Sequence, residues 1–228
     1  MQGLLVLAFL TVFFVATNAL VSNCTCKGEL SMGTYSVSWM IRDNNRSLVD
    51  FNVSVNTDAN TWVAVGFSED RFMPITDVAI GADNGTDSFV EDRWNNGTRS
   101  VGPIYDTEQN FIYTSTSRYN DMLTISFTRP IDSPDDTQDL DLTQCRYVLW
   151  AYGGSVSMFP SMMSDEAASG LTRHTMRGVF SKQICLCPAN ETCPTAAPPS
   201  TEAPTSSAFS VANFAIITFI FILIAAIF

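Results

Sequence analysis

Residues 35–41 read YSVSWMI and residues 48–55 read LVDFNVSV, and apolar and polar side chains alternate in both stretches. Residues 122–127, MLTISF, continue the same pattern further along the chain. Alternation with a period of two is typical of a β-strand that buries one face. Turn-forming clusters such as RDNNRS and ADNGTD separate the apolar runs, so the sequence predicts short antiparallel strands.

A second group of segments is short, β-branched and aromatic: WVAVGF at 62–67, DVAIGA at 77–82 and YVLWAY at 147–152. No apolar pattern with a helical period of 3.6 residues extends over any length. Eight or more short strands joined by tight turns favour two packed sheets. We therefore predict an all-β fold, an antiparallel immunoglobulin-like β-sandwich.

The two ends of the chain have their own compositions. Residues 4–16, LLVLAFLTVFFVA, precede small residues, which predicts a signal peptide over 1–19 with cleavage near Ala19 or Ser22; an N-terminal membrane anchor is the alternative. Residues 194–207 are rich in Pro, Thr, Ser and Ala, as in a stalk. Residues 208–228 form an apolar tail, either a glycosylphosphatidylinositol (GPI) signal or a retained membrane anchor.

For a GPI anchor, Ser206 is the predicted attachment residue, with Ser200 as an alternative. The folded domain is then expected over 24–193. A signal peptide and a C-terminal anchor together place the protein on the extracellular face of the plasma membrane, reached through the secretory pathway.

The net charge and the histidine content each exclude one class of binding site. The 228 residues include 12 Lys and Arg against 23 Asp and Glu, a formal net charge of −11. Nucleic-acid binding requires a basic face, so we expect no nucleic-acid partner. His174 is the single histidine of the sequence, which excludes zinc or copper sites built from several histidines.

Cysteines and glycosylation sequons fit a secreted protein. An even number of cysteines behind a signal peptide predicts disulfides. We expect the two C-x-C motifs to staple adjacent terminal strands, leaving Cys145 to pair with Cys193. The six cysteines are Cys24, Cys26, Cys145, Cys185, Cys187 and Cys193. The asparagines of Asn-x-Ser/Thr sequons are Asn23, Asn45, Asn52, Asn84, Asn96 and Asn190.

Several motifs, taken in order, resemble the DOMON domain. They are WVAVGFS at 62–68, Met73, DVAIG at 77–81, LTISFTRP at 123–130, YVLWAYGG at 147–154 and HTMRG at 174–178. The resemblance spans roughly two thirds of the chain and implies a sandwich of about ten strands. It also implies one of two ligands, since DOMON domains bind either b-type haem or a sugar.

The haem-binding members of this family include the cytochrome domain of cellobiose dehydrogenase and GPI-anchored plant cytochromes, in which one Met and one His hold the iron. By resemblance, Met73 and His174 are the axial ligands. The sequence contains no C-x-x-C-H motif, so haem b would be bound non-covalently. The candidate walls of the haem pocket are Phe67, Phe72, Trp150, Tyr152 and Met158.

The resemblance thus implies an extracellular, membrane-tethered b-type cytochrome module for single-electron transfer. Such a module carries electrons and is not an autonomous catalyst; its partner would be a redox protein or a small-molecule reductant. The alternative is a haem-free carbohydrate- or ligand-binding adhesion module.

Each nominated residue also has a plainer interpretation. A methionine is often a core filler, and a lone histidine in a polar loop is often exposed. Asp77 is interpreted as a strand-start cap and left out of the site. Arg173 and Arg177 belong either to a solvated face or beside a haem propionate.

Overall fold

The structure, a computed structural model, describes residues 24–97, 102–156 and 171–193. The chain divides into two compact units, Met1–Pro194 and Thr195–Phe228, and all of the described residues belong to the first. The predicted signal peptide, stalk and apolar tail lie outside the described residues, as do Asn23, Met158, Ser200 and Ser206. The described residues contain no helix that could cross a bilayer.

Eleven strands account for most of the described residues. They are β1 (Lys27–Met32), β2 (Tyr35–Arg42), β3 (Asn45–Asn56), β4 (Thr61–Ser68), β5 (Thr76–Asp83), β6 (Ser88–Asn95), β7 (Ile104–Tyr105), β8 (Ile112–Tyr119), β9 (Met122–Pro130), β10 (Arg146–Ser155) and β11 (Met176–Ile184). They form a five-stranded sheet in the order β1-β2-β3-β9-β8 and a six-stranded sheet in the order β11-β10-β4-β5-β6-β7. Neighbouring strands are antiparallel, so the predicted all-β sandwich is confirmed.

Aromatic side chains fill the core between the two sheets. Phe51 on β3 stacks on Phe127 of β9 with 5.2 Å between ring centroids, and Phe67 of β4 packs on Phe51 from the opposite sheet at 5.1 Å. The buried Tyr35 hydroxyl donates a hydrogen bond of 3.0 Å to the carbonyl oxygen of Ala64, which joins β2 to β4. The alternating segments predicted from the sequence supply this core.

Strands β4 and β5 are buried on both faces. Seven of the eight residues of each strand are buried. Val63, Val65 and Phe67 belong to the core between the sheets, whereas the intervening Trp62 and Ala64 belong to a second apolar cluster. Since alternate side chains point to opposite faces, that second cluster lies on the outer face of the six-stranded sheet.

Three disulfides tie the ends of the domain together, and they include all six cysteines. Cys24 is bonded to Cys187 and Cys26 to Cys193, so the first described segment is joined twice to the last. The third disulfide joins Cys145 to Cys185. Disulfides of this kind are typical of a protein that folds in an oxidising, extracellular-type compartment.

The predicted Cys145–Cys193 pairing is wrong, and the strand register explains why. Strands β10 and β11 are antiparallel with Arg146 opposite Ile184, so continuing that register by one residue places Cys145 opposite Cys185. The bridge between Thr25 and Leu186 is parallel, and the bonded Cys24 and Cys187 lie just before and just after it in the two segments that it joins. Cysteine spacing alone does not reveal this register.

The sequon asparagines of the described residues lie at or near the surface. Asn84 is half-buried in a turn, where its side-chain oxygen accepts hydrogen bonds from the backbone of Thr86 and Asp87. The exposed asparagines are Asn45, Asn52, Asn96 and Asn190. This exposure leaves glycosylation at these four positions sterically feasible.

The disulfide pattern is directly testable. Alkylation of the secreted protein without reduction should label none of the six cysteines, because each is already oxidised. Mass spectrometry of unreduced proteolytic peptides should find Cys24 linked to Cys187, Cys26 to Cys193 and Cys145 to Cys185. A linked Cys145–Cys193 peptide, or a labelled cysteine, would contradict the register described above.

Candidate functional site

A cavity of about 1040 Å³ lies on the outer face of the six-stranded sheet. Its floor is built by the outward-facing residues of two adjacent strands. These are Trp62, Ala64 and Gly66 on β4 and Thr76, Val78 and Ile80 on β5. The volume reaches the upper end of the range of about 300–1,000 Å³ that is typical of cofactor sites. The second apolar cluster of the domain is therefore the floor of a large cavity.

The loop between β4 and β5 carries Met73 to this cavity. Asp70 fixes the loop: its Oδ1 accepts hydrogen bonds from the Ser68 hydroxyl at 3.1 Å and the Phe72 amide at 2.8 Å. The Thr76 hydroxyl donates a 2.6 Å bond to the Met73 carbonyl oxygen. Phe72 is 69% exposed and Met73 36% exposed, and both line the cavity. The loop thus presents a thioether and an aromatic ring at the rim.

Backbone strain marks the end of the same loop. Ile75 has a φ of 56°, in the left-handed region that β-branched residues rarely adopt. Its amide donates a 2.8 Å hydrogen bond to the Asn95 carbonyl oxygen of β6, which holds the residue in place. Strained residues of this kind are concentrated at ligand-binding sites.

His174 reaches the cavity from the loop before β11. The Trp62 indole N–H donates a 2.9 Å hydrogen bond to the Thr172 carbonyl oxygen, and the His174 ring packs edge-on to Trp62 with 6.2 Å between centroids. Burial, and then the nearby charge of Arg177, lower the pKa of His174 below its usual value of 6.5. At neutral pH the imidazole is therefore neutral, which is the form that binds a metal ion.

The cavity is basic in an otherwise acidic chain. Four of its lining residues are arginines: Arg71, Arg93, Arg173 and Arg177. Arg93 is held by Glu91 at 2.7 Å and donates a 3.1 Å hydrogen bond to the Pro103 carbonyl oxygen. Among the described lining residues none is acidic. The rim can accordingly hold a ligand that has an apolar body and acidic groups.

The structure brings four of the residues nominated from the sequence to one cavity: Met73, His174, Phe72 and Trp150. Phe67 and Tyr152 do not line it, so their nomination as walls is corrected. Phe67 shares the inner face of β4 with Val65, and the Tyr152 ring stacks on Tyr35 between the sheets at 6.3 Å. Alternation along β4 places Phe67 on the inner face. Tyr152 shares the inner face of β10 with Trp150, a core residue that also lines the cavity.

Sequence reasoning missed the cavity residues Arg71 and Arg93. Arginine in a loop or at a strand end usually lies in solvent, so neither residue carried a signal in the sequence. Trp62, Ala64 and Gly66 did carry one, because they alternate along a strand in which every intervening residue is also apolar. A strand that is apolar on both faces is usually packed against other groups on each face.

The interpretation of Asp77 as a strand-start cap is also wrong. Asp77 is fully buried between the sheets, where its Oδ2 contacts Nη1 of the buried Arg129 and accepts a 3.0 Å hydrogen bond from the Leu140 amide. Arg129 lies 5.6 Å from the centre of the Phe67 ring. Asp77 belongs to the inner face of the sheet, away from the cavity.

Comparison with known proteins gives one family and two curated relatives. The family model of the DOMON domain matches residues 31–153. The proteins named DOMON domain-containing protein FRRS1L are 34% identical to this chain in Mus musculus and 33% identical in Homo sapiens. Each alignment covers 114 residues, 47% of this chain and 36% of the relative. The chain therefore matches little more than a third of the length of these relatives.

Two solved structures are similar to part of this chain. One is the cytochrome b domain of pyranose dehydrogenase from Coprinopsis cinerea, with a TM-score of 0.47 and 14% identity over 64% of this chain and 74% of that chain. The other is the cytochrome domain of Myriococcum thermophilum cellobiose dehydrogenase, with a TM-score of 0.49 and 8% identity over 72% of this chain and 86% of that chain.

The Trp62 hydrogen bond should hold the His174 loop on the sheet. Trp62→Phe should destabilise the protein by about 1–3 kcal/mol more than Trp39→Phe, because it leaves the Thr172 carbonyl unpaired. Trp39 is a matched control: it is 7% exposed against 6% for Trp62, and its indole nitrogen has no hydrogen-bond partner in the described structure. Urea unfolding measures both losses. Equal losses, with unchanged hydrogen exchange over 171–175, would contradict an anchoring role.

Proposed function

The chain belongs to the DOMON domain family, and we propose that it is a b-type cytochrome module that carries single electrons at the outer face of the plasma membrane. One observation carries the proposal. Met73 and His174, which are far apart in the sequence and lie on different loops, line the same cavity. The family and the fold alone support a less specific conclusion, that the chain has the fold of a possible haem-binding electron-transfer module.

The residues of the cavity fit haem b. An apolar floor suits the porphyrin body, and its volume is that of a cofactor site. A neutral imidazole and a soft thioether are both established axial donors to haem iron. Arg173 and Arg177 supply positive charge for the two propionates. Without a C-x-x-C-H motif in the sequence, the group would be held by these contacts and not by thioether bonds to cysteine.

Haem b bound there would supply a reversible one-electron iron couple, and Met/His ligation favours the reduced state relative to ligation by two histidines. His174 would contribute an imidazole to the iron, and burial, followed by the nearby charge of Arg177, lowers the pKa of His174 and favours the neutral form. Met73 would bind the iron together with His174, and two protein ligands would leave no position for oxygen or peroxide. Such a site would transfer electrons without chemistry on a bound substrate, which favours a carrier over an autonomous catalyst.

Electrons must reach the site from outside, and the rim offers a route. Phe72 and Met73 are both partly in solvent at the edge of the cavity. A redox partner protein or a small-molecule reductant can therefore approach the rim closely. The basic rim favours a partner or reductant that is negatively charged.

The membrane tether is the second part of the proposal. Residues 194–207 would form the stalk region, and a GPI anchor at Ser206 would replace everything after that residue, including the apolar tail 208–228. The paired cysteines support passage through the secretory pathway. The domain would then sit at the cell surface at a distance set by the length of the stalk.

The haem assignment can be tested by spectroscopy. The purified full chain, supplied with haem and reduced with dithionite, should give a six-coordinate, low-spin b-type spectrum with sharp α and β bands. His174→Ala should abolish or strongly weaken haem retention, because a thioether alone binds ferric iron poorly. Met73→His should keep six-coordination and lower the reduction potential, because the thioether stabilises Fe(II) better than a second imidazole does.

Met176→Leu is the matched control, since Met176 is 49% exposed and is not among the residues that line the cavity. It should leave the spectrum and potential unchanged. A spectrum that survives Met73→Leu combined with His174→Ala would overturn the ligand assignment. A colourless protein in the presence of haem would instead favour the haem-free carbohydrate- or ligand-binding module.

The tether has its own test. Phosphatidylinositol-specific phospholipase C should release the protein from intact cells, because it cleaves GPI anchors and leaves transmembrane segments in place. Ser206→Pro combined with Ser200→Pro should prevent anchoring and move the protein to the medium or retain it in the cell. Protein that stays on the membrane after treatment, with residues 208–228 detected by mass spectrometry, would show a transmembrane anchor.

A further inference from the structure

Three buried aspartates meet between the two sheets, on the face of β5 and β6 opposite the cavity. Asp77 lies on β5, Asp92 on β6 and Asp139 in the segment between β9 and β10. Asp77 and Asp92 are fully buried and Asp139 is 7% exposed. Asp92 is paired across the strands with Ala79, a residue of the inner core, so the cluster is separate from the proposed haem site.

The charges of this cluster do not balance. In the described structure Arg129 is the cation that contacts it, through Asp77 and through Nη2 at 3.6 Å from Asp139 Oδ1. With all three carboxylates ionised, one guanidinium would leave two negative charges uncompensated in the interior. Asp106, also fully buried, adds to the negative potential. Uncompensated charge at this depth strongly destabilises a fold, so the cluster needs a further partner.

The hydrogen bonds show where that partner would bind. The Oδ2 atom of each aspartate is engaged: that of Asp77 by Arg129 and Leu140, that of Asp92 by the Asn110 amide at 3.4 Å, and that of Asp139 by Ser133 and by Asn110 Nδ2 at 2.8 Å. The Oδ1 atoms of Asp77, Asp92 and Asp139 are buried and have no hydrogen-bond partner. The surrounding groups therefore fix three carboxylates and leave one oxygen of each unsatisfied.

The spacing of the cluster matches a calcium coordination sphere. One carboxylate oxygen from each aspartate lies within 4.8 Å of those from the other two. Oxygens that bind one Ca²⁺ ion at about 2.4 Å can be separated by at most about 4.8 Å. Three aspartates without histidine or cysteine are a hard, all-oxygen donor set, which suits Ca²⁺ better than Zn²⁺ or Cu²⁺.

We propose that Asp77, Asp92 and Asp139 bind one Ca²⁺ ion that joins β5, β6 and the segment before β10 inside the sandwich. Two positive charges cancel the two negative charges that Arg129 leaves uncompensated. Burial, and then the charges of Asp77 and Asp139, raise the pKa of Asp92 to about 9, and burial also raises the pKa of Asp77, so protons compete with Ca²⁺ for these carboxylates. The site is structural and does not depend on haem.

The test starts from the full chain stripped with EGTA. Isothermal titration with CaCl₂ should show one ion per chain, and Ca²⁺ at about a hundredfold excess over Kd should raise Tm by about 5–10 °C. MgCl₂ should give a smaller rise, because Mg²⁺ requires shorter, near-octahedral coordination. Asp92→Asn should lose both the binding and the Tm response. Asp136→Asn, an exposed acid of the segment that holds Asp139, should keep both.

Several outcomes would overturn the proposal: no Ca²⁺ binding to the stripped chain, a stronger response to Mg²⁺ than to Ca²⁺, or an equal Tm response in Asp92→Asn. If Asp92→Asn does not fold, Asp139→Asn and the wild-type titration still decide the question. The double variant Met73→Leu/His174→Ala should bind Ca²⁺ like the wild type. Failure of the haem assignment and failure of the calcium site are therefore distinguishable.

Discussion

Burial of β4 and β5 on both faces is the constraint on which the other features depend. A strand of a β-sandwich normally packs one face on the core and exposes the other face to water, so the residues of its outer face are usually polar. Here the inner face of β4 packs on the aromatic core and its outer face forms the floor of the cavity. The small residues Ala64 and Gly66 leave space for the cavity above the sheet. Gly66 has no room for a Cβ atom, because that atom would lie 2.7 Å from the Thr76 methyl group. The inner face of the six-stranded sheet can therefore pack in the core while its outer face lines the cavity.

The β-sandwich could be predicted from the sequence because its signals are local. Alternation in YSVSWMI, LVDFNVSV and MLTISF marks β2, β3 and β9, and each segment contributes to the core as expected. The disulfide partners were not predictable in the same way. They depend on which residues β10 and β11 place opposite each other, and strand register is a property of the assembled sheet.

The residues of the candidate site also differ in whether the sequence alone could place them. Met73 and His174 were nominated by resemblance, and only the three-dimensional structure could place both on one cavity. The error at Phe67 was avoidable, since Phe67 lies an odd number of positions from Trp62, Ala64 and Gly66 and must face the other way. Asp77 carried a signal in the sequence, because an aspartate within an apolar strand needs a buried partner. Asp92 lies between Glu91 and Arg93 and carried no such signal. Which partners the two aspartates have depends on Arg129, Asp139 and Asn110, which are distant in the sequence.

The disulfides also determine how the domain would respond to a pulling force. Cys24, Cys26, Cys187 and Cys193 close a covalent ring through two disulfides and the intervening backbone. Tension applied beyond residue 193 therefore enters that ring and is shared between β1, at the edge of one sheet, and β11, at the edge of the other. Neither edge strand can be loaded alone from this end, because the ring joins both segments covalently. Force from the C-terminal side therefore reaches the two sheets together.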